Sequence, residues 1–147
     1  QLFANYIMNN IHNNRLMTYD SHSKDPEQRI DAKLKEFKES KEPKIMVSYS
    51  MNEGVDLPYD ECRFQIILKI PFPYLGDNQI KARKRVDYNW YNVKTVQKFI
   101  QAVGRGMRAE DDYCTNYVID QDFNMLLYGR AFKNILPENI RESIRKF

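Results

Sequence analysis

The stretch FQIILKIP, residues 64–71, decides the fold class of this chain. Its near-continuous run of apolar and β-branched residues is typical of a parallel strand that is buried on both faces. Pro71, Pro73 and Gly76 follow closely and end the run. The pattern therefore predicts a central strand of a parallel sheet, followed by a turn.

Working outward from this strand, the hydrophobic pattern predicts three more strands and four helices. Strands and helices alternate, which implies right-handed crossovers between parallel strands. We therefore predict a single α/β domain over residues 1–147, with a RecA-like three-layer fold and a mainly parallel central sheet flanked by helices. The further strands are residues 15–19, 44–50 and 117–119, the helices are residues 1–13, 26–42, 79–85 and 93–103, and the tail from Asn124 mixes helix and loop.

Two of these helices have recognisable local signals. Asp25 followed by Pro26 predicts an N-cap and a first helical residue. In the helix over 93–103, a buried stripe is expected from Val93, Val96, Ile100 and Val103. The preceding DYNWYN, residues 87–92, is interpreted as an aromatic connector.

Composition excludes several classes of protein. Hydrophobic residues make up 42% of the 147-residue chain and aromatics 13%, enough for a core, and no apolar stretch is long enough to span a bilayer. Cys62 and Cys114 lie far apart without a CxxC pair, so we expect free thiols and no metal ligands. We expect a cytoplasmic protein, or a nuclear one in a eukaryote. Because Gln1 opens directly into a helical pattern, the chain is interpreted as a piece of a longer protein.

The positive charge is concentrated in one window. Residues 79–108 contain eight Lys or Arg against one acid, Asp87, a net +7 within a chain whose total is +3. Such asymmetry points to a polyanionic ligand on one face of the protein, either nucleic acid or nucleotide phosphate. An ordinary solvated basic helix stays an open alternative.

The stretch QAVGRGMRAEDD, residues 101–112, holds the candidate phosphate site. Gln101, Arg105 and Arg108 are spaced i, i+4 and i+7, so a helix continuing through them would project all three from one face. Two guanidinium groups and an amide there would bind phosphate oxygens, beside backbone exposed at Gly104 and Gly106. The alternative is that the arginines form salt bridges with the acids that follow, Glu110, Asp111 and Asp112.

Two other segments contain candidate ligand-binding residues. The loop after the strand over 44–50 contains Glu53-Gly54-Val55-Asp56, a glycine between carboxylates, which on its own is more typical of a structural turn than of a ligand site. The basic residues of 81–85 favour binding to nucleic-acid phosphates, slightly over a solubility role. The neighbouring Trp90 and Tyr91 favour core packing over base stacking by about two to one.

Five of these segments together resemble the second RecA-like lobe of superfamily 2 helicases of the XPD/DinG group. QAVGRGMRAEDD resembles motif VI, Q-x-x-G-R-x-x-R, and SMNEGVDLP, residues 50–58, resembles motif V in the variant of this group. KIPFPYLGD, DYNWYNVKT and YVIDQDF fit the same family in order and spacing. The motif match covers residues 44–123, whereas residues 1–43 agree only in their order of helix, strand and helix.

The resemblance implies roles for individual residues. In such enzymes ATP lies in the cleft between this lobe and a first lobe, and motif VI arginines stabilise charge on the transferred γ-phosphate. It assigns this catalytic role to Arg105 and Arg108, with Gln101 positioning the γ-phosphate or the attacking water. The resemblance places four residues near the nucleotide: Glu53, Gly54, Asp56 and Gly104. It places near the nucleic-acid strand Ser50 and Asn52, beside the basic set Lys81, Arg83, Lys84 and Arg85.

The parts that are missing from the chain also follow the family pattern. The sequence has no G-x-x-x-x-G-K-[ST] phosphate loop and no D-E-A-H-like box, which in this family belong to the first lobe of the same polypeptide. We therefore expect that lobe to bind most of ATP and Mg²⁺, and the isolated chain to be inactive. The activity implied for the whole protein is ATP-dependent unwinding of DNA, coupled to movement along a single strand. RNA is the alternative substrate. A non-catalytic nucleic-acid-binding or regulatory module and a duplex translocase stay as alternatives.

Overall fold

A computed structural model describes residues 2–20, 22–48, 55–107 and 109–145, without the side chain of residue 3. The chain divides into two compact units, Gln1–Met51 and Asn52–Phe147. Each unit is described by itself below. That both form one domain stays a prediction.

The first unit contains one pair of parallel strands. Strand β1 pairs with β2 in the register Leu16 to Ile45 and Met17 to Met46. Both strands are shorter than predicted. The elements are α1 (Leu2–Asn10), β1 (Leu16–Met17), a 3₁₀ turn (Pro26–Gln28), α2 (Ile30–Glu39) and β2 (Ile45–Met46).

The predicted helix start at Asp25 is confirmed for its first turn only. The Asp25 carboxylate accepts a hydrogen bond from the Glu27 amide at 3.0 Å, as an N-cap does. Arg29 then takes an extended conformation with φ −75° and ψ 160°, which interrupts the helix. The α-helix therefore begins at Ile30 rather than at Pro26.

The second unit contains the other pair of strands and most of the helices. Strand β3 runs parallel to β4, from Phe64 opposite Thr115 to Ile67 opposite Val118. Both pairs of described strands are thus parallel, as predicted. The elements are a 3₁₀ turn (Tyr59–Glu61), β3 (Phe64–Ile67), α3 (Asn78–Val86), α4 (Tyr88–Val103), a 3₁₀ turn (Gly104–Gly106), β4 (Thr115–Val118), α5 (Phe123–Tyr128), a 3₁₀ turn (Arg130–Phe132) and α6 (Glu138–Glu142).

The prediction that β3 is buried on both faces is wrong. Phe64 and Ile66 are 47% and 53% exposed, whereas Ile67 packs against the core. Side chains alternate across a strand, so a strand whose two sides have different surroundings alternates in exposure. The apolar composition of residues 64–71 therefore overestimated how many of them are buried.

Helix α4 begins earlier than predicted. Residues 88–92 form its first turns and not a connector, because the Asp87 carboxylate caps the helix by accepting a hydrogen bond from the Trp90 amide at 2.9 Å. Asp87 also ends α3, since its own amide donates to the Arg83 carbonyl. One residue thus closes one helix and opens the next.

The buried face of α4 is also rotated from the predicted stripe. Val96 is buried as expected, but Val93, Ile100 and Val103 are only half-buried. The most buried apolar side chains of the helix are instead Val96 and Phe99, beside Thr95. Phe99 was not part of the predicted stripe, and its ring packs against that of Phe123 with centroids 5.4 Å apart.

The core of the second unit forms where α4 meets the C-terminal helices. It consists of buried side chains from the β3 end, α4 and the tail: Ile70, Val96, Phe99, Leu126, Leu127, Phe132 and Leu136. Arg141 fastens the tail because its guanidinium donates to the carbonyl oxygens of Leu127, Phe132, Lys133 and Leu136. Of the helices in the described ranges, none has the length and apolar character that a bilayer crossing requires.

Candidate functional site

The candidate phosphate site lies where α4 ends. Helix α4 ends at Val103, the end predicted from the sequence, and gives way to the 3₁₀ turn Gly104–Gly106, so the helix does not continue through Arg105 as the common face would require. Side-chain amides from the strands bind the last carbonyl oxygens of the helix: Gln65 Nε2 donates to Ala102 and Val103 at 2.8 and 3.2 Å, and Asn116 Nδ2 to Val103 at 3.3 Å. These bonds satisfy groups that a helix end otherwise leaves to water.

This break separates two of the predicted phosphate ligands. The shared face expected for Gln101 and Arg105 is not formed, since Gln101 is exposed and Arg105 is only 7% exposed. A 3₁₀ turn rotates the chain by about 120° per residue, so the i, i+4 relation of an α-helix no longer applies. Arg108, the third predicted ligand, lies outside the described residues.

Arg105 connects the two segments that the sequence had singled out separately. Its Nη1 donates to the Val55 carbonyl oxygen at 3.3 Å, and its own carbonyl oxygen accepts from the Leu57 amide at 3.3 Å. The loop over 55–57 and the turn over 104–106 are therefore bonded through both the side chain and the backbone of one residue. Asp56 is exposed between these two bonded loop residues.

Several predicted ligands are not among the described residues. Besides Arg108, these are the loop residues Ser50, Asn52, Glu53 and Gly54. Their assignments stay predictions.

A buried carboxylate, that of Asp112, contacts the 3₁₀ turn Tyr59–Glu61. The Asp112 side chain is fully buried, and its oxygens accept from Arg63 Nη1 at 3.0 Å, from the Tyr59 amide at 3.1 Å and from the Tyr113 amide at 2.8 Å. Arg63 also bonds the exposed Asp60 at 2.8 Å. The pKa of the Arg63 guanidinium is raised, first by the hydrogen bond to Asp60 and also by the charge of Asp112. One of the acids proposed as a partner for the motif arginines thus pairs with Arg63.

The two glycines of the turn differ in their surroundings. A Cβ added to Gly104 would meet no atom within 4 Å, so this residue is open on that side. A Cβ on the buried Gly106 would lie 2.5 Å from both Cβ and Sγ of Cys114 and 2.8 Å from the Cys62 carbonyl oxygen. Gly106 is required for close packing, whereas Gly104 leaves backbone accessible.

The two cysteines are neighbours in space. They are free thiols, as predicted, but Cys62 and Cys114 lie with their sulfur atoms 3.6 Å apart. The pKa of Cys62 is lowered, chiefly by the hydrogen bond from Cys114 and also by the charge of Arg105, against the effects of burial and Asp112. The pKa of Cys114 is raised, first by its hydrogen bond to Cys62 and then by burial.

The predicted nucleic-acid-binding cations lie on α3, beside the start of α4. The Arg83 guanidinium lies 4.5 Å from the centre of the Trp90 ring, and Lys84 Nζ lies 4.3 Å from the centre of the Tyr91 ring. Such cation–π contacts are attractive through the ring quadrupole. Lys81 and Arg85 are exposed on the same helix.

Tyr91 is a core residue, as favoured from the sequence. It is buried, and its hydroxyl donates to the Pro73 carbonyl oxygen at 3.1 Å. Its ring stacks on Phe72 with centroids 6.3 Å apart. Burial, followed by the neighbouring Tyr88, raises the pKa of the Tyr91 hydroxyl. Trp90 is half-buried, with one face covered by Arg83.

Sequence reasoning missed the cluster of Arg63, Asp112 and the two cysteines. Residues 62–63 immediately precede β3 and residues 112–114 precede β4, and the two strands are parallel and in register. Phe64 pairs with Thr115, two residues before the predicted strand over 117–119, so the predicted strand starts alone would not have brought these residues together. Across the described ranges, no group of three or more His, Cys, Asp or Glu is arranged to hold a metal ion.

Parallel strands with intervening helices are compatible with a RecA-like α/β domain. The chain belongs to the helicase C-terminal domain family, whose profile matches residues 2–139. That family is RecA-like, and the parallel strands found here are compatible with its fold. The resemblance to XPD/DinG-like helicases of superfamily 2 is thereby confirmed.

Individual relatives point to the same group. The chain is 30% identical over 112 residues, 71% of its length, to the 3'-5' exonuclease DinG of Bacillus subtilis. It is 25% identical over 112 residues, 65% of its length, to the regulator of telomere elongation helicase 1 homolog of Caenorhabditis elegans. The chain spans only 12% and 11% of these two relatives.

Proposed function

We propose that the chain is the C-terminal motor lobe of an ATP-dependent DNA helicase, which supplies motifs V and VI to an ATP site completed by a first lobe of the same polypeptide. The observation that carries the proposal is the pair of hydrogen bonds from Arg105 to the loop over 55–57. This linkage makes the position of one motif depend on the position of the other. Such coupling is what an enzyme needs if phosphate chemistry at one motif is to drive movement of a strand at the other.

Among the described residues, two at the end of α4 are accessible from outside the fold. Gln101 is exposed there, and the open side of Gly104 gives access to the backbone. Because a helix C-terminus carries partial negative charge, a phosphate at this end requires cations to offset it. Arg105 and Arg108 would supply them, with Gln101 orienting the γ-phosphate or the attacking water. Glu53, Gly54 and Asp56 would border the nucleotide, and Mg²⁺ would be held mainly by the first lobe.

The arginine roles are tested in the full-length protein. Arg105→Ala and Arg108→Ala should each reduce ATP turnover on the order of 10³-fold or more, as loss of an arginine finger does. Binding of single-stranded DNA should be largely retained. Lys94→Ala, which removes an exposed cation from α4, is the matched control and should leave turnover unchanged. Wild-type turnover in both arginine variants would contradict the proposal.

Thermal unfolding separates a structural role of Arg105 from a role in ATP turnover. Arg105 is buried and bonded to Val55, so Arg105→Lys should lower both turnover and melting temperature because an ammonium cannot reproduce the guanidinium geometry. If a variant loses ATP turnover but keeps the wild-type melting temperature, the replaced side chain contributes to turnover and not to the stability of the fold.

The basic helix α3 would contact the strand. Replacing Lys81, Arg83, Lys84 and Arg85 together should flatten the salt dependence of single-strand binding, by up to about 0.7 in log–log slope for each phosphate that is no longer neutralised. The control replaces four exposed lysines of the first unit: Lys24, Lys35, Lys38 and Lys41. Equal slopes in the two quadruple variants would assign α3 to solubility. Ser50 and Asn52 are also proposed to contact the strand backbone.

ATP and strand assays of the full-length protein separate the remaining alternatives. ATP turnover with strand displacement supports a helicase, turnover without displacement a duplex translocase, and binding without turnover a regulatory module. A nuclease assay belongs beside them, because one relative is named as an exonuclease. The isolated chain should not hydrolyse ATP.

A further inference from the structure

We propose that Cys62 and Cys114 form a reversible disulfide on exposure to a peroxide, and that this bond acts on the turn containing Arg105. This disulfide is independent of the proposed ATPase function. The two sulfur atoms are 3.6 Å apart. A disulfide bond has a length of about 2.05 Å, so the sulfur atoms must approach by a shift on the scale of side-chain rotation.

The arrangement assigns different roles to the two thiols. The Cys62 thiol donates to the Phe64 carbonyl oxygen at 3.6 Å, and in its contact with Cys114 either thiol can be the donor. Donation by Cys114 favours ionisation of Cys62. The lowered pKa of Cys62, with Arg105 contributing, agrees with this geometry. A thiolate is the reactive form of cysteine. Cys62 is therefore the attacking sulfur, and the half-buried Cys114 is the resolving one.

The chemistry balances with a peroxide as the oxidant. The Cys62 thiolate attacks one peroxide oxygen, the O–O bond breaks, and hydroxide leaves with a sulfenic acid formed on sulfur. The Cys114 sulfur then attacks the Cys62 sulfur, so that the S–S bond forms and the S–O bond breaks. The departing hydroxide takes the proton of Cys114. Two thiols and one hydrogen peroxide thus become one disulfide and two waters.

The pair touches the motif VI turn directly. Gly106 lies so close to Cys114 that a Cβ would be 2.5 Å from its Cβ and Sγ, and the Cys62 carbonyl lies against the same position. A movement of either cysteine backbone is therefore transmitted to Gly106, and through it to Arg105 and its bond to Val55. The dithiol couples redox state to this turn.

The first test maps the disulfide in the full-length protein. The native protein is treated with hydrogen peroxide, its remaining thiols are alkylated, and its peptides are analysed by mass spectrometry. The expected result is a peptide joining Cys62 to Cys114, lighter by two hydrogen atoms, which dithiothreitol cleaves and which is absent from Cys62→Ser and Cys114→Ser. Recovery of both residues as alkylated thiols, or of Cys62 as a sulfinic acid without the linked peptide, overturns the proposal.

The second test measures the effect on the turn without any ATP assay. Amide hydrogen exchange of peptides covering residues 104–107 is compared between the reduced and oxidised protein, with α6 as an internal reference. Exchange should change in residues 104–107 and stay unchanged in α6. Equal exchange in both redox states overturns the coupling. Because neither readout uses ATP, failure here is distinguishable from failure of the proposed helicase function.

Discussion

At the N-terminal end of α4 the cations of α3 lie over the rings of the half-buried Trp90 and the buried Tyr91, whereas at its C-terminal end Arg105 is buried against the Val55 carbonyl. Both ends belong to the same basic window of the sequence. Arg83 is exposed and Lys84 is half-buried, whereas Arg105 is only 7% exposed. Charge alone therefore does not indicate how strongly a residue is tied into the structure, since burial and bonded partners set its contribution.

The largest effect on the free energy of unfolding is expected at Asp112, which is a buried charged residue like Arg105. Asp112→Ala removes a fully buried carboxylate and leaves the amides of Tyr59 and Tyr113 without this acceptor, so the free energy of unfolding should fall by about 3 kcal/mol. Denaturant unfolding measures it. The control is Asp60→Ala, which removes the other, 96% exposed carboxylate bonded to Arg63. Equal losses in the two variants would show that burial does not set the difference.

The next effect is expected at Gly106. Gly106→Ala places a Cβ against Cys114 and should lower the free energy of unfolding by about 2 kcal/mol through overpacking. Gly104→Ala meets no neighbour and its φ of −78° suits alanine, so its stability should be unchanged or higher by about 0.5 kcal/mol. Thermal denaturation of the two variants tests this difference in stability. Equal melting temperatures would contradict it.

At the other end of α4, the cap should matter less. Asp87→Ala removes the acceptor for the Trp90 amide and should cost about 1 kcal/mol. Asp87→Asn keeps an acceptor oxygen and should recover most of that loss. Chemical denaturation distinguishes them, and an Asn variant as unstable as the Ala variant would point to the charge rather than to the hydrogen bond.

The smallest effect is expected on α3. Lys84→Met removes the ammonium over the Tyr91 and Tyr88 rings and should lower the free energy of unfolding by about 0.5–1 kcal/mol. Arg85→Met, at an exposed site on the same helix, should cause no measurable change. A double-mutant cycle with Tyr91→Leu tests the contact, and a coupling energy of zero would contradict it.

Much of the fold followed from local sequence patterns. The helix over 79–85 was found almost to its ends, and Asp25 was identified as a cap, because capping and apolar spacing act within one or two turns. The same reasoning failed at residues 87–92, where aromatic side chains suggested a connector. Asp87 offered a cap there as clear as the one at Asp25, and the aromatic residues obscured it.

The candidate site was predicted in composition more than in geometry. Motif spacing singled out both Arg105 and the loop over 50–58, and these segments do meet through Val55 and Leu57. Gln101 and Arg105 would share a face only on a helix that continued through both, whereas α4 ends at Val103, where amides from β3 and β4 bind its last carbonyl oxygens. A helical-wheel argument contains no term for such partners.

The sequence by itself determined the alternation of parallel strands with helices, the capped helix starts and the order of the motifs, since these depend on residues a few positions apart. Tertiary structure alone decided which face of β3 and α4 is buried, that Arg105 turns inward, and that Cys62 lies beside Cys114. The physical reason is distance along the chain: the parallel pairing of β3 with β4 brings together residues about fifty positions apart. No local periodicity encodes that pairing.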